Sequence, residues 1–273
     1  MSDTHEHNQK QFAKKALGQH FLKSQKAIHA ITEAIPIGAS VIEIGPGPGA
    51  ITEPLMDRVA KLTVIEKDNR FAEQWQQRSE ERQNLAVVHG DVLDVLEKTV
   101  LQSGADWVVG NLPYNISGPL TARLAAFELS GGMVLMYQKE VADRIVSGPG
   151  GRIYGSLSVM VRHHYEPKRL LVLPPGAFAP PPKVHSAVIT LTPHNRRPPC
   201  DIRALEATVR EGFRHRRKTI ANNFKGKLKL VDWMELVIDP ASRPETLPYA
   251  KWASIAHRLY PDGLGIRQGL GEW

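Results

Sequence analysis

The chain reads as an α/β protein: a doubly wound, mostly parallel sheet followed by a small helical C-terminal domain. Three observations predict it. Short apolar runs rich in β-branched residues recur along the first two thirds of the sequence, with helical patterns between them. Runs of this kind without polar alternation suit strands buried on both faces, and their alternation with helices implies crossover connections. A glycine-rich loop, Gly45-Pro46-Gly47-Pro48-Gly49, follows the first long run.

In chain order, residues 1 to about 12 are polar and read as flexible. Strands are predicted over 41–45, 62–66, 85–88, 107–109 and 133–137, and helices over 51–58, 69–82, 119–129 and 139–146. Two proline-rich stretches, Pro174-Pro175-Gly176 and Pro180-Pro181-Pro182, precede one more strand over 184–191. The polar, proline-rich stretch 193–199 is the best domain boundary. It separates a domain over 15–195, preceded by a flexible basic tail over 1–14, from a helical domain over 196–273. Within the latter, helices are predicted over 202–224, 230–236 and 249–259, and no internal repeat is visible.

A length of 273 residues allows one large domain, or one of ordinary size and a small one. Apolar content of 42% and charged content of 23% are those of a soluble globular protein. No apolar run is long enough to cross a bilayer, and the first residues lack the apolar stretch of a signal peptide. The single cysteine, Cys200, excludes an intramolecular disulfide and argues against a cysteine-built zinc site. A cytoplasmic location is the expectation. The net charge of +7 is uneven: residues 1–193 carry 20 Lys/Arg against 19 Asp/Glu, and residues 194–273 carry 15 against 9. Basicity concentrated at one end points to a polyanionic partner, with a solvated basic face as the alternative.

The loop at Gly45, Gly47 and Gly49 lets a ligand approach the backbone without a Cβ in the way. A dinucleotide fingerprint needs its third glycine at position 50, where Ala50 stands, so the spacing argues against a nicotinamide or flavin cofactor. Glu66 closes the second strand, 21 residues after Gly45, where an acid can accept from both hydroxyls of a ribose. Asp91 follows the third strand, where a carboxylate can accept from an adenine amino group. Taken singly, each acid has the alternative reading of a cap on the next helix, and the loop that of a chain reversal.

Asn111-Leu112-Pro113-Tyr114 follows the fourth strand, at the same edge of the sheet. These residue types suit an exocyclic amine on a flat base. The lone pair of such an amine is delocalised into the ring, so methyl transfer requires the nitrogen to become pyramidal. The Asn111 side-chain oxygen and a backbone carbonyl near Leu112 can each accept one N–H, which favours the tetrahedral transition state over the planar ground state. Pro113 stiffens the turn, and Tyr114 offers a face for stacking. Loop and tetrapeptide together imply transfer of a methyl group from S-adenosyl-L-methionine to an amino nitrogen of a nucleic acid. The sulfonium is already electrophilic, so no metal is required. A plain turn is the alternative reading of the tetrapeptide.

These motifs resemble those of the ribosomal RNA adenine N6-dimethyltransferase family, in its small-subunit (16S) branch. The resemblance runs from about Lys15 to the C-terminus. It rests on Leu17-Gly18-Gln19-His20-Phe21-Leu22, Glu43-Ile44-Gly45-Pro46-Gly47-Pro48-Gly49, Val64-Ile65-Glu66, Gly90-Asp91 and Gly110-Asn111-Leu112-Pro113-Tyr114. Phe178-Ala179-Pro180-Pro181-Pro182-Lys183-Val184 and Arg216-Arg217-Lys218-Thr219-Ile220 extend it. It implies a Rossmann-like S-adenosylmethionine-dependent methyltransferase sheet with a helical C-terminal domain. It implies that His20, Leu22, Gly45, Gly47, Glu66, Asp91 and Asn111 contact the cofactor. Asn111 and Leu112 would hold the target amine, with Pro113 completing the motif, and Tyr114 and Phe178 would close on the two faces of the target adenine. The partner implied is small-subunit ribosomal RNA in a pre-30S particle, approached by a monomer without a membrane. Two positions depart from the family pattern: His20 stands where asparagine is usual, and His185 where the branch often has aspartate.

Residues 210–229 carry eight Lys/Arg and one acid. Phe213, Ile220 and Phe224 share a helical face, so that Arg214, Arg217 and Lys218 point outward. With Arg216, they are the candidate contacts to RNA phosphates, against the alternative of a solvated helix. Lys10, Lys14 and Lys15 repeat the signal weakly. His163-His164 lack a ligand partner at metal spacing and read as surface or packing histidines. Two other functions compete: methylation of large-subunit RNA, which Phe178, the proline run and the long basic C-terminal part disfavour, and a non-catalytic RNA-binding factor on the same fold, which the intact cofactor and Asn111–Tyr114 sets disfavour.

Overall fold

The computed structural model describes residues 19–195 and 200–264. The tail expected over 1–14, Lys10, Lys14, Lys15 and most of the proline-rich connection lie outside these residues. Among the described residues nine strands occur in chain order: β1 Phe21–Leu22, β2 Ser40–Ile44, β3 Lys61–Glu66, β4 Leu85–His89, β5 Trp107–Asn111, β6 Gly132–Gln138, β7 Tyr165–Leu173, β8 Phe178–Ala179 and β9 Ser186–Pro193. The chain packs as two compact units. Of the described residues, the first takes those up to Leu120, then Leu129–Ala142 and Lys168–Pro193; the second takes Thr121–Glu128, Asp143–Pro167 and those from His194 on. Packing thus interleaves the units, whereas the boundary drawn at 195/196 follows chain order alone.

Seven strands form one sheet in the order β4-β3-β2-β5-β6-β9-β7. The pairs from β4 through β6 are parallel, and β9 runs antiparallel to β6. The chain builds outward from β2 through β3 to β4, then returns to place β5 on the other side of β2. Ligands of doubly wound sheets bind at such a switch point, outside the carboxyl ends of the strands. The register pairs Ile44 with Gly110, so the glycine loop and Asn111 emerge side by side.

The first unit buries Leu55, Leu62, Val64, Trp75 and Val109 completely in one apolar cluster. Helices Gln25–Glu33, Thr52–Met56, Asn69–Glu81 and Val92–Ser103 belong to it. Gln25–Glu33 starts at Ser24, whose side chain accepts from the Ala27 amide. Val92–Ser103 starts at Asp91 and ends at Gly104, which takes the left-handed conformation (φ 65) that suits a helix terminus. Neither helix was predicted from periodicity.

The second unit is helical, with Ser156–Val161, Ile202–Gly212, Ile220–Asn223, Leu230–Glu235 and Tyr249–Leu259. Its core gathers Leu205, Val209, Ile220, Phe224, Trp233 and Trp252. The helix predicted over 202–224 is two helices. Gly212 leaves no room for a Cβ beside the Trp252 ring, and Phe213 stacks on that ring at 5.0 Å. Thr219 then caps a new helix by accepting from Asn222 N. Asn223 accepts from His215 N (3.2 Å) and donates to His215 O (3.3 Å), which fixes the turn between them. Among the described residues, no helix is long and apolar enough to cross a membrane.

Candidate active site

Every predicted cofactor and substrate residue except Leu22 and Phe178 lines one cleft of the first unit, at the carboxyl ends of β2 to β5. The glycine loop forms its floor. Gly45 (φ 69) and Gly49 (φ 99) take backbone conformations that L side chains rarely adopt. Their surroundings differ. A Cβ at Gly49 would sit 2.7 Å from the Trp75 ring, so that glycine serves packing. At Gly45 no atom fills the space a Cβ would take, so a ligand can lie against its backbone. Two bonds pin the loop independently: Gly45 N donates to Ile65 O, and Trp75 Nε1 donates to Gly47 O, both at 2.9 Å.

Glu66 lies at the end of β3, 6% exposed. Its Oε2 accepts from Gly47 N (3.0 Å) and its Oε1 from Asp68 N (2.7 Å). Burial raises its pKa above the usual carboxylate value, and backbone hydrogen bonds from Asp68, Gly47 and Lys67 oppose the rise. The carboxylate lines the cleft, where its remaining acceptor capacity fits a ribose hydroxyl. Asp91 fills the capping role that the sequence left open as the alternative. Its Oδ1 accepts from Leu93 N (2.9 Å) as a helix cap, and its Oδ2 pairs with Lys67 Nζ (2.6 Å) at the cleft edge. Lys67 was not singled out from sequence; the one available signal was its place beside Glu66 at a strand end. On the neighbouring β2, Glu43 is 2% exposed, and its Oε2 has no partner among the described residues. Burial, reinforced by the Glu66 charge, pushes its pKa up to about 8, with the Thr52 hydroxyl opposing.

Asn111 ends β5, and its Nδ2 donates to the His20 carbonyl at 2.8 Å. A carbonyl can only accept, so this bond fixes the amide orientation and leaves Oδ1 as the acceptor. Leu112 is buried (1%), and its amide donates to Met136 O (3.2 Å), which holds the backbone at the cleft. Pro113 O accepts from Ile116 N (3.2 Å) and closes the turn. Tyr114 is tethered at two points: its hydroxyl bonds Ser186 Oγ (2.6 Å), and its carbonyl accepts from Ser117 Oγ (3.1 Å). Burial raises the phenol pKa, and Ser186 opposes the rise. Ser186 is a second residue that sequence reasoning missed.

The ring facing Tyr114 is His20, stacked at 5.8 Å with 27° between planes. His20 Nδ1 lies 2.8 Å from the Pro180 carbonyl, so Nδ1 carries the proton and Nε2 is the acceptor of the neutral ring. Phe178 corrects the expectation of a second clamping ring. It pairs with Leu22 across the β1–β8 ribbon, and both side chains enter the core, 1% and 3% exposed. His185, the other departure from the family pattern, is exposed, and its carbonyl accepts from Lys139 N.

In the second unit, Arg214, Arg216, Arg217 and Lys218 are exposed, on the turn between two helices rather than on a continuous helix. Arg216 differs from the others. Its Nη2 donates to Tyr154 O (2.7 Å) and Arg152 O (3.2 Å), and its guanidinium lies over the Phe213 ring. His163 is a packing residue, bonded through Nδ1 to the Tyr249 hydroxyl (3.0 Å); burial lowers its pKa to about 4.

The sequence matches the family described as Ribosomal RNA adenine dimethylase over residues 10–260. It is 41% identical over 253 residues to the Ribosomal RNA small subunit methyltransferase A of Vibrio cholerae serotype O1, covering 90% of this chain and 93% of that one. The fold is similar to the crystal structure of a dimethyladenosine transferase from Plasmodium falciparum, with a TM-score of 0.76 and 25% identity, over 89% of this chain and 98% of that one. The 23S rRNA methyltransferase ErmE shares the fold at a TM-score of 0.65 and 22% identity, over 88% of this chain and 99% of that one. With a family match across nearly its whole length and a cleft built on the motifs that carry it, the chain belongs to the ribosomal RNA adenine dimethylase family.

Proposed function

We propose that the protein transfers methyl groups from S-adenosylmethionine to N6 of two adjacent adenines in small-subunit ribosomal RNA, giving N6,N6-dimethyladenine in a pre-30S particle. The observation that carries the reading is the Asn111 amide, locked by the His20 carbonyl with its oxygen left to accept, beside the Tyr114 ring. The 41% identity to a protein named for small-subunit RNA supports the choice of substrate. A monomer acting in the cytoplasm is part of the same proposal.

The cleft fits the cofactor through the open floor at Gly45 and the anchored Glu66 carboxylate. Glu66 would accept from the ribose hydroxyls, and Asp91 Oδ2, which also accepts from Lys67, would accept from the adenine amine. When bound, S-adenosylmethionine supplies a methyl group already activated by its sulfonium. The protein therefore has only to orient and polarise the amine. Asn111 Oδ1 and the Leu112 carbonyl accept from it, and their bonds strengthen as nitrogen becomes tetrahedral. Tyr114, held by Ser186, supplies the stacking face; His20 backs that ring and holds Asn111 in register. The exposed Arg214, Arg217 and Lys218 supply phosphate contacts.

The test is a competition. The purified protein is offered labelled S-adenosylmethionine with unmethylated small and large ribosomal subunits together. Label confined to adenines of the small-subunit RNA is the expected result. Label confined to the large subunit would replace this substrate with the other one, and cofactor binding without transfer would reduce the protein to a binding factor.

A further inference from the structure

The second unit carries an apolar ridge that its own fold leaves uncovered. Helix Leu230–Glu235 buries Trp233 and Asp232 on one side. On the other side Leu230, Val231, Met234 and the following Val237 are 68%, 50%, 71% and 78% exposed. Leu230, Val231 and Met234 share one face of the helix by their spacing, and Val237 follows just past its end. Contiguous exposed apolar residues on a folded protein mark a surface that another molecule covers.

The backbone at Val237 points the same way. Ile238 N donates to Trp233 O and Val237 N to Met234 O, both at 3.0 Å, which is the Schellman ending of a helix. The residue at this point of that motif takes the left-handed conformation and is usually glycine. Here it is a β-branched valine at φ 54, the one described non-glycine residue with positive φ. Glycine would adopt the same backbone without strain. A strained valine whose side chain points to solvent contributes little to the fold, so its side chain serves something outside it.

Charge identifies what that is. Residues 214–229, which lead into the helix, hold seven Lys/Arg and no acid. Lys225, Lys227 and Lys229 are exposed, and Lys227 also pairs with Glu211 at 3.2 Å. The acids of the helix, Asp232 and Glu235, are both paired with Arg258. The ridge therefore stands beside a cationic stretch and carries little negative charge of its own. The minor groove of duplex RNA is wide and shallow, lined by ribose, and flanked by phosphates. We propose that the Leu230–Val237 ridge docks in the minor groove of a ribosomal RNA duplex, with Lys225 and Lys229 on the flanking phosphates. This rests on the reading that structured small-subunit RNA is the substrate.

Full-length Val237→Gly and Leu230→Ser/Met234→Ser variants test it. Each is measured for melting temperature, for binding to an RNA duplex across a salt series, and for methylation of unmethylated small subunits. Val237→Gly is expected to melt at or above the wild-type temperature, yet to bind the duplex roughly ten- to 100-fold more weakly, as fits loss of one buried valine side chain. Its salt dependence should match wild type, because no phosphate contact is lost, whereas Lys225→Gln/Lys229→Gln should flatten it. Ridge variants that bind the duplex as wild type does, or a Val237→Gly protein that melts lower, would overturn the proposal. So would ridge-dependent capture by phosphatidylserine vesicles, or by an acidic protein, without any change in RNA binding. Wild-type protein that fails to methylate small subunits would instead overturn the substrate reading on which the ridge proposal rests.

Discussion

Replacing Glu66 with glutamine changes almost nothing in shape and a good deal in hydrogen bonding. Both carboxylate oxygens accept backbone amides, Gly47 N at 3.0 Å and Asp68 N at 2.7 Å. A glutamine has one acceptor and one NH2, so in either orientation a donor faces a donor. The loop still has its Trp75 and Ile65 bonds and should stay in place. The clash of donors burdens the free and the loaded protein alike and lowers the melting temperature modestly, since the variant also escapes the cost of a buried charge. What the ligand feels is the loss of one acceptor and of the charge on the other, about 1.5–3 kcal/mol, the usual worth of a hydrogen bond to a charged group. That is roughly 10- to 150-fold in dissociation constant. Calorimetric titration with S-adenosylmethionine measures it. An affinity within threefold of wild type would refute the assignment of Glu66 to the ribose, whatever the melting temperature did.

Asn111→Ala should lower turnover by about 10²–10³ or more and cofactor affinity by much less, because its acceptor bond to the amine strengthens as nitrogen becomes tetrahedral; single-turnover kinetics and cofactor titration with and without the change decide. Glu43 should make stability pH-dependent. Its folded pKa is raised from 4.5 to about 8, so the stabilising protonated form is fully present below about pH 4.5 and stability falls as pH rises to about 8. The slope is at most ~1.4 kcal/mol per pH unit, and Glu43→Gln should flatten it in denaturant melts across that window. Charge reversal of Arg214, Arg217 and Lys218 should reduce the salt slope of RNA binding by roughly 0.7–0.9 per lost contact. Arg216→Ala should instead lower the melting temperature, since that side chain holds the Tyr154 and Arg152 carbonyls.

The strands β2, β3, β5 and β6 were legible because a parallel strand covered on both faces is a largely apolar run, and the edge strand β4 keeps the same spelling in Leu85, Val87 and Val88 although it is only partly covered. β7 was not, because Tyr165–Leu173 holds Pro167 and the charges of Glu166, Lys168 and Arg169, which an edge strand tolerates. The two-residue strands β1 and β8 are too short for any period. The helix Val92–Ser103 was legible in principle: Asp91, for which capping stood as the alternative, and Gly104 are its cap residues. The long helix over 202–224 was misread because Phe213, Ile220 and Phe224 keep helical spacing through a turn that Gly212 and Thr219 mark. In the cleft, Gly45, Glu66 and Asn111 were readable since each closes a predicted strand at the same sheet edge. The His20–Tyr114 stack and the Tyr114–Ser186 bond join residues far apart in sequence, and no local pattern announces them. Phe178 was misplaced for a related reason: a phenylalanine beside a proline run has the same spelling whether its ring faces a base or the core.

The pocket built around Asn111 has to accept an amine that already bears a methyl group. Tyr114 restrains the base through its face, which leaves rotation about the C6–N6 bond free; one N–H then remains for Asn111 or for the Leu112 carbonyl. Mass spectrometry of unmethylated small-subunit RNA, reacted to completion with excess S-adenosylmethionine, tests this most directly. The account predicts N6,N6-dimethyladenine at two adjacent positions, with monomethyladenine only as a transient. N6-monomethyladenine as the final product would contradict it.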